Sequence, residues 1–160
     1  MLYATLKTLH LLSIIVWVGG MVFAHFFLRP AVAALEPPVR LKLMHAVLSR
    51  FFAAVLVASL TALATGLWMI GRVAKQAVQS GGSFQMPLHW WLMAVLGVLM
   101  VAIFGHIRFV LYKRLSVEVA AASWPAAGRA MSAIRQWVGV NLVLGVFIVV
   151  ATLLARGLAL

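Results

Sequence analysis

Four long apolar runs constrain this chain more than any other feature. Each is long enough to cross the roughly 30 Å hydrocarbon layer of a bilayer, which takes about 20 helical residues. We place them near residues 3–28, 41–70, 86–111 and 131–154, with connections rich in Pro, Gly, Ser or charge. Because 66% of the 160 residues are hydrophobic and only 9% are charged, no soluble domain of this size fits. The sequence predicts one all-α transmembrane domain over residues 1–160, an integral membrane four-helix bundle.

The basic residues predict how the bundle is oriented. Nine lie on or beside the first and third connections, and four lie on the other side: Arg29, Arg40, Lys42, Arg50, Arg108, Lys113, Arg114, Arg129 and Arg135, against Lys7, Arg72, Lys75 and Arg156. By the positive-inside rule, this bias places both termini on the outer, periplasmic side of a bacterial inner membrane. The net charge of +11 then needs no nucleic-acid partner, because orientation and anionic membrane lipid account for it.

The five histidines fall at two predicted depths. His10 and His89 lie near the outer ends of helices 1 and 3, and His25, His45 and His106 lie near the inner ends of helices 1, 2 and 3. Ionisable residues inside a membrane are costly and usually face the bundle interior. At 100° per residue, His10, Trp17, Met21 and His25 share one stripe, whereas His106 is rotated about 100° from His89. We expect two sites, one in each leaflet, with interfacial or hydrogen-bonded histidines as the plain alternative.

Haem is the first cofactor that this pattern favours. Neutral imidazoles on facing helices can supply both axial ligands of a haem iron. We predict haem b, one or two per chain, with His10 and His89 as the outer ligands and Trp17 packed near the ring. The inner ligands come from His25, His106 and His45, and Arg50 or Arg108 would lie near the propionates of an inner haem. For each arginine alone, snorkelling to lipid phosphate is the alternative.

Copper is the competing hypothesis. Met86, His89 and Met93 follow i, i+3, i+7 spacing, which places thioethers beside an imidazole and suits Cu(I). Together with His10 they form the predicted outer copper site, although methionine also fills apolar cores, as we expect for Met100.

Missing residues narrow the chemistry further. The chain has no cysteine and no aspartate, and its only acids are Glu36 and Glu118 in the inner connections. Thiolate metal sites and iron–sulfur clusters are therefore excluded. The chain also lacks the buried carboxylate that a proton-coupled carrier of the usual acidic kind requires, and it lacks the catalytic residues of a hydrolase.

Several short motifs resemble two related bacterial families. In helix 1, within Leu9–Gly20, "LH" is followed after six residues by "W" and then by "GG". Helix 2 contains "LKLMHAVLSRF" and "GLWMIG", and helix 3 contains "PLHWWLMAVLGVLM" and "FGHIRF". Their order resembles the CopD copper-resistance family and the HemJ family of protoporphyrinogen oxidases, whose members resemble b-type cytochromes. The resemblance implies that His10 and His89 are haem ligands and that His106 matches a further histidine. A lysine of the HemJ pattern is replaced by Trp91, which disfavours protoporphyrinogen oxidation.

The leading prediction is a b-type cytochrome-like membrane haem protein that transfers electrons, with a quinone or a periplasmic redox protein as its partner. As an enzyme it would be an oxidoreductase only if the haem is redox active. A CopD-like copper transport or resistance protein, with a periplasmic copper protein as partner, is the alternative. A HemJ-like oxidase, a cofactor-free structural subunit and a homo-oligomer stay open.

Overall fold

Four long helices make up the computed structural model, which describes the backbone of residues 1–157 and the side chains of residues 1–155. They are α1 (Leu2–Ala31), α2 (Pro37–Gln79), α3 (Leu88–Ala120) and α4 (Trp124–Gly157). All four are long and apolar enough to cross a membrane. Within residues 1–157 no strand is present, so the predicted all-α membrane fold is confirmed.

The helices extend beyond the predicted spans, and the connections shrink to residues 32–36, 80–87 and 121–123. The third connection shows why. Residues 112–120 are polar enough to resemble a loop, yet they continue α3 as an amphipathic helix, with Tyr112 and Leu115 buried and Lys113 and Arg114 exposed. A hydropathy pattern marks only the span that is apolar on all sides. The helix itself continues as long as one apolar face packs against the rest of the bundle.

The turns between the helices have local causes. Two prolines, Pro37 and Pro38, begin α2, where a missing N–H costs nothing and the fixed φ suits a helix. Gly81 follows the end of α2 at φ 79°, a left-handed conformation that glycine adopts without strain.

Neighbouring helices in the bundle run antiparallel. His10 of α1 lies against Thr65 of α2, and Phe52 of α2 lies against Phe104 of α3. Met93 of α3 lies on the same cavity as His10 of α1, and Phe104 of α3 packs on Trp17 of α1, so α1 and α3 run in the same direction. We call the end that carries both chain termini the terminal end. The opposite end, which carries the connections 32–36 and 121–123, is the basic end.

Trp17, Met21, Phe52 and Phe104 lie in the buried core of the bundle. Burial of Trp17 and Met21, at 3% and 2% exposure, shows that the α1 stripe faces inward. Large apolar side chains such as Phe26, Leu67 and Val143 cover the outer surface, as expected where the solvent is lipid.

Three π-helical segments interrupt the α-helical pattern: Ile15–Gly19 and Phe23–Leu28 in α1, and Ile107–Leu111 in α3. A π segment turns less per residue than an α-helix, so it rotates the side chains that follow it. The two segments of α1 contain Trp17 and His25, and the segment of α3 begins directly after His106. A uniform 100° rotation per residue therefore misplaces residues beyond each segment.

Candidate functional site

His10 is held by hydrogen bonds to α2. Its Nδ1 atom lies 3.0 Å from the carbonyl oxygen of Ala62 and 3.1 Å from Thr65 Oγ1. The Thr65 hydroxyl also donates to the carbonyl of Thr61, at 2.6 Å. No hydrogen bond involves His10 Nε2 among the described residues. The ring is therefore fixed through one nitrogen and leaves the other unengaged.

The His10 ring lines a small apolar cavity of about 100 Å³ near the terminal end, which we call the terminal-end cavity. Met93 and Met100 of α3 line the same cavity, as does Trp17 of α1. The cavity thus brings one imidazole and two thioethers together among apolar side chains.

Two glycines make room for these side chains. A Cβ added at Gly66 would lie 3.3 Å from His10 Cε1, and one at Gly145 would lie 3.1 Å from Met100 Cε. Both approaches are closer than ordinary packing allows. Glycine at these positions therefore lets the imidazole and the thioether lie against the facing helices.

Trp17 packs against the ring of Phe104 in α3. Its ring meets Phe104 edge-on, with centroids 6.1 Å apart and an interplanar angle of 68°. Edge-to-face pairs of this kind are favourable beyond the area they bury. Trp17 therefore closes the core side of the terminal-end cavity.

His89 does not line the terminal-end cavity; its ring packs edge-on against neighbouring Trp90 instead. The register of the helices explains this. Phe104 lies beside Trp17, and His89 precedes Phe104 by 15 residues whereas His10 precedes Trp17 by seven. At 1.5 Å per residue, His89 lies about 12 Å closer to the terminal end than His10.

Met86 is also outside the cavity. Helix α3 begins at Leu88, so Met86 lies in the non-helical stretch before it and does not share a helical face with His89 and Met93. The i, i+3, i+7 spacing assumed a helix that starts two residues earlier. Of the predicted copper ligands, the structure brings together His10 and Met93.

His25 lines a second and larger cavity of about 680 Å³, the basic-end cavity. Three arginines from three helices line it as well: Arg29 of α1, Arg40 of α2 and Arg135 of α4. Neither Arg50 nor Arg108, the arginines predicted for this end, lines this cavity.

His45 is engaged by hydroxyl groups of α3. Its Nε2 atom lies 2.9 Å from Ser116 Oγ and 3.1 Å from the Tyr112 hydroxyl, which also donates to the His45 carbonyl. The rings of His45 and Tyr112 stack with their centroids 5.1 Å apart. These contacts are typical of a histidine that joins two helices.

His106 is exposed on the outside of α3, where its ring packs edge-on against Trp137 of α4. Arg50 is exposed on α2, and Arg108 lies 5.3 Å from the Tyr112 ring with a buried Nε that has no hydrogen-bond partner. Among the described residues, no group of three or more His, Cys, Asp or Glu side chains could hold a metal.

A known protein family matches most of this chain. The family profile described as Copper resistance protein D, CopD, matches residues 45–155, which is more than half of the chain. The chain belongs to the CopD family. No curated protein and no solved structure matches the chain. Membership in the CopD family supports a multi-pass membrane protein of the copper-resistance type.

The CopD match covers most of α2, all of α3 and most of α4, but it does not reach α1. The contacts of His10 and His25 therefore come from the structure alone. Met100 packs in the core as the sequence predicts, at 4% exposure, and it also lines the terminal-end cavity, which the sequence did not indicate. Sequence reasoning also missed Arg29 and Arg40 as cavity residues, because their charge already explained orientation.

Proposed function

We propose that this protein handles copper within the membrane and that the terminal-end cavity binds Cu(I) as cargo. His10 Nε2 and the sulfur atoms of Met93 and Met100 would be the ligands. Membership in the CopD family supports a copper-related role, and the cavity supplies the residues that such a role requires.

One observation carries the proposal. The Ala62 carbonyl can only accept a hydrogen bond, so the proton of the neutral His10 ring resides on Nδ1. The lone pair is then on Nε2, the nitrogen without a hydrogen bond. Metal-binding histidines usually donate their other N–H to a carbonyl or carboxylate, which fixes the ring. His10 has this arrangement at the edge of a cavity that two thioethers line.

The ligand set favours Cu(I) over harder ions. Thioether sulfur and imidazole suit soft Cu(I), whereas Mg²⁺, Ca²⁺ and Mn²⁺ prefer carboxylate, carbonyl and water oxygens. No acidic residue lines the terminal-end cavity. A singly charged soft ion also costs less to bring into an apolar site than a divalent one, since the desolvation penalty rises with charge.

Haem-based electron transfer has less support. Each of the two cavities described above contains one histidine, His10 or His25, so neither brings two imidazoles together. An absorbance spectrum of the purified protein tests this hypothesis directly. A reducible Soret band would revive it, and a colourless preparation would end it.

Titration of the detergent-purified protein with Cu(I), in competition with a coloured Cu(I) chelator, tests the copper proposal. We expect one Cu(I) per chain at this site. The variants His10→Ala, Met93→Leu and Met100→Leu should each weaken binding by about tenfold or more, because each removes one ligand. Leucine nearly conserves the volume of methionine, so the two Met variants should keep the fold.

The control variant is Met86→Leu. Met86 lies just before α3 and outside the cavity, so this substitution removes a thioether that is not a proposed ligand. This variant should bind Cu(I) as the unmodified protein does. Equal weakening by Met86→Leu and Met93→Leu, or full binding by His10→Ala, would contradict the proposed site.

A further inference from the structure

The basic-end cavity has a charge pattern that the copper proposal does not use. Arg29, Arg40 and Arg135 line it from three different helices, and His25 lines it as well. No acidic side chain lines the cavity, and no ion pair within 4.0 Å is found in the part of the chain that the structure describes. One Arg40 nitrogen donates to the Ala33 carbonyl at 3.2 Å, which orders that side chain without neutralising it.

The backbone adds to this positive charge. Both α2 and α4 begin at this cavity, since Pro37 and Trp124 are the first residues of these helices and both line it. The N-terminus of a long helix carries a partial positive charge and favours an anion nearby. Lys42 also lies 5.5 Å from the Trp124 ring. Guanidinium groups and helix N-termini therefore favour the same kind of ligand.

The inner wall of the cavity is apolar. Leu41, Met44, Leu48 and Val138 line it and belong to the hydrophobic core or its edge. The cavity is thus cationic at the end of the bundle and apolar toward the centre. A phospholipid has the complementary arrangement, with an anionic phosphate next to an acyl chain. The volume of about 680 Å³ exceeds what a free phosphate ion would fill.

We propose that the basic-end cavity binds the phosphate group of an anionic phospholipid. Arg40 and Arg135 hold the phosphate oxygens from α2 and α4, and the acyl chain lies along the apolar wall. The phosphate then offsets part of the charge of three arginines that lack acidic partners among the described residues, and it links α1, α2 and α4 at one end of the bundle. This proposal is independent of the copper site, because the two cavities are at opposite ends.

Binding of a short-chain phosphatidylglycerol to the detergent-purified full chain tests the proposal, with native mass spectrometry as the readout. We expect Arg40→Gln and Arg135→Gln each to weaken binding by about tenfold, since each removes charge-assisted hydrogen bonds. The matched control is Arg50→Gln, which removes one arginine of α2 that is exposed and does not line the cavity. It should change binding less than twofold.

Two further arms separate the sources of the phosphate. A short-chain phosphatidylcholine and inorganic phosphate should each compete at least tenfold less well than the phosphatidylglycerol. If Arg50→Gln weakens binding as much as Arg135→Gln, the lipid is held by general surface charge and the proposal is overturned. If inorganic phosphate competes as well as the lipid, the acyl chain contributes nothing and the lipid assignment is overturned. Circular dichroism of each variant serves as the check that the bundle has folded.

Discussion

Two histidines of this bundle differ in which ring nitrogen is engaged. His10 bonds the carbonyl of Ala62 through Nδ1, whereas the Nε2 atom of His45 contacts the hydroxyls of Ser116 and Tyr112. Among the described residues, the Nε2 atom is therefore without a hydrogen bond in His10 and engaged within the protein in His45. Sequence places both residues near helix ends but gives no information on which nitrogen faces a partner.

The His45 contacts predict a stability effect of Tyr112→Phe. This variant removes the hydroxyl that joins α3 to His45 Nε2 and to the His45 carbonyl, so we expect it to lower the free energy of unfolding by about 1 kcal/mol. Unfolding in detergent mixtures, followed by circular dichroism, measures the change. Tyr3→Phe is the control, since Tyr3 is exposed on α1 and has no side-chain hydrogen bond among the described residues. Cu(I) binding should be unchanged in both variants, and a loss in Tyr112→Phe would link His45 to the copper site.

At the scale of helices, close approach depends on small residues. A Cβ added at Gly20 of α1 would collide with the Phe51 ring of α2, whereas one at Gly19 meets nothing within 4 Å. Adjacent glycines thus have opposite roles. Small residues at such contacts let membrane helices pack by van der Waals attraction, which replaces the hydrophobic effect inside a bilayer.

Alanine substitution at these two glycines tests the α1–α2 contact. Gly20→Ala should lower the free energy of unfolding by roughly 1–3 kcal/mol, because the Phe51 ring must move to accommodate the methyl group. Gly19→Ala should leave stability unchanged or raise it by up to about 1 kcal/mol, since alanine favours the helix. The measurement is the same detergent unfolding experiment. Similar losses in both variants would show that α1 does not pack on α2 through Gly20.

At the scale of the whole molecule, the membrane sets both the composition and the direction of the bundle. Helix α2 has 43 residues and is about 65 Å long, so it extends well beyond the roughly 30 Å hydrocarbon layer. The excess of basic residues at one end of the bundle predicts that this end faces the cytoplasm. The proposed copper site and the proposed lipid site would then each lie on a defined side of the membrane.

Labelling of single cysteines tests this orientation, and the chain helps because it has no cysteine of its own. Ser80→Cys places a thiol at the terminal end, and Ser123→Cys places one at the basic end. In intact bacterial cells, a membrane-impermeant maleimide should label Ser80→Cys and should label Ser123→Cys only after the membrane is opened. The reverse pattern would invert the predicted topology.

The sequence by itself determined the class of the protein, the number of helices and the inward-facing stripe of α1. These depend on composition and on helical periodicity, which are local properties, and burial of Trp17 and Met21 agrees with them. The motifs in α2 and α3 also pointed to the CopD family, which the profile match shows. The resemblance could not indicate which histidines line a cavity.

Only the tertiary structure decided which side chains meet. His10 and His89 seemed equivalent by distance from their helix ends, yet the packing of Trp17 on Phe104 sets a register that separates them. Met100 and His10 line one cavity, where Gly145 and Gly66 leave room for their side chains, and Arg29, Arg40 and Arg135 line another, where α1, α2 and α4 pack together. Hydropathy fixes how deep a residue lies along its own helix. The offset and rotation between two helices come from the packing of their side chains against each other. The sequence pattern of one helix does not contain this information.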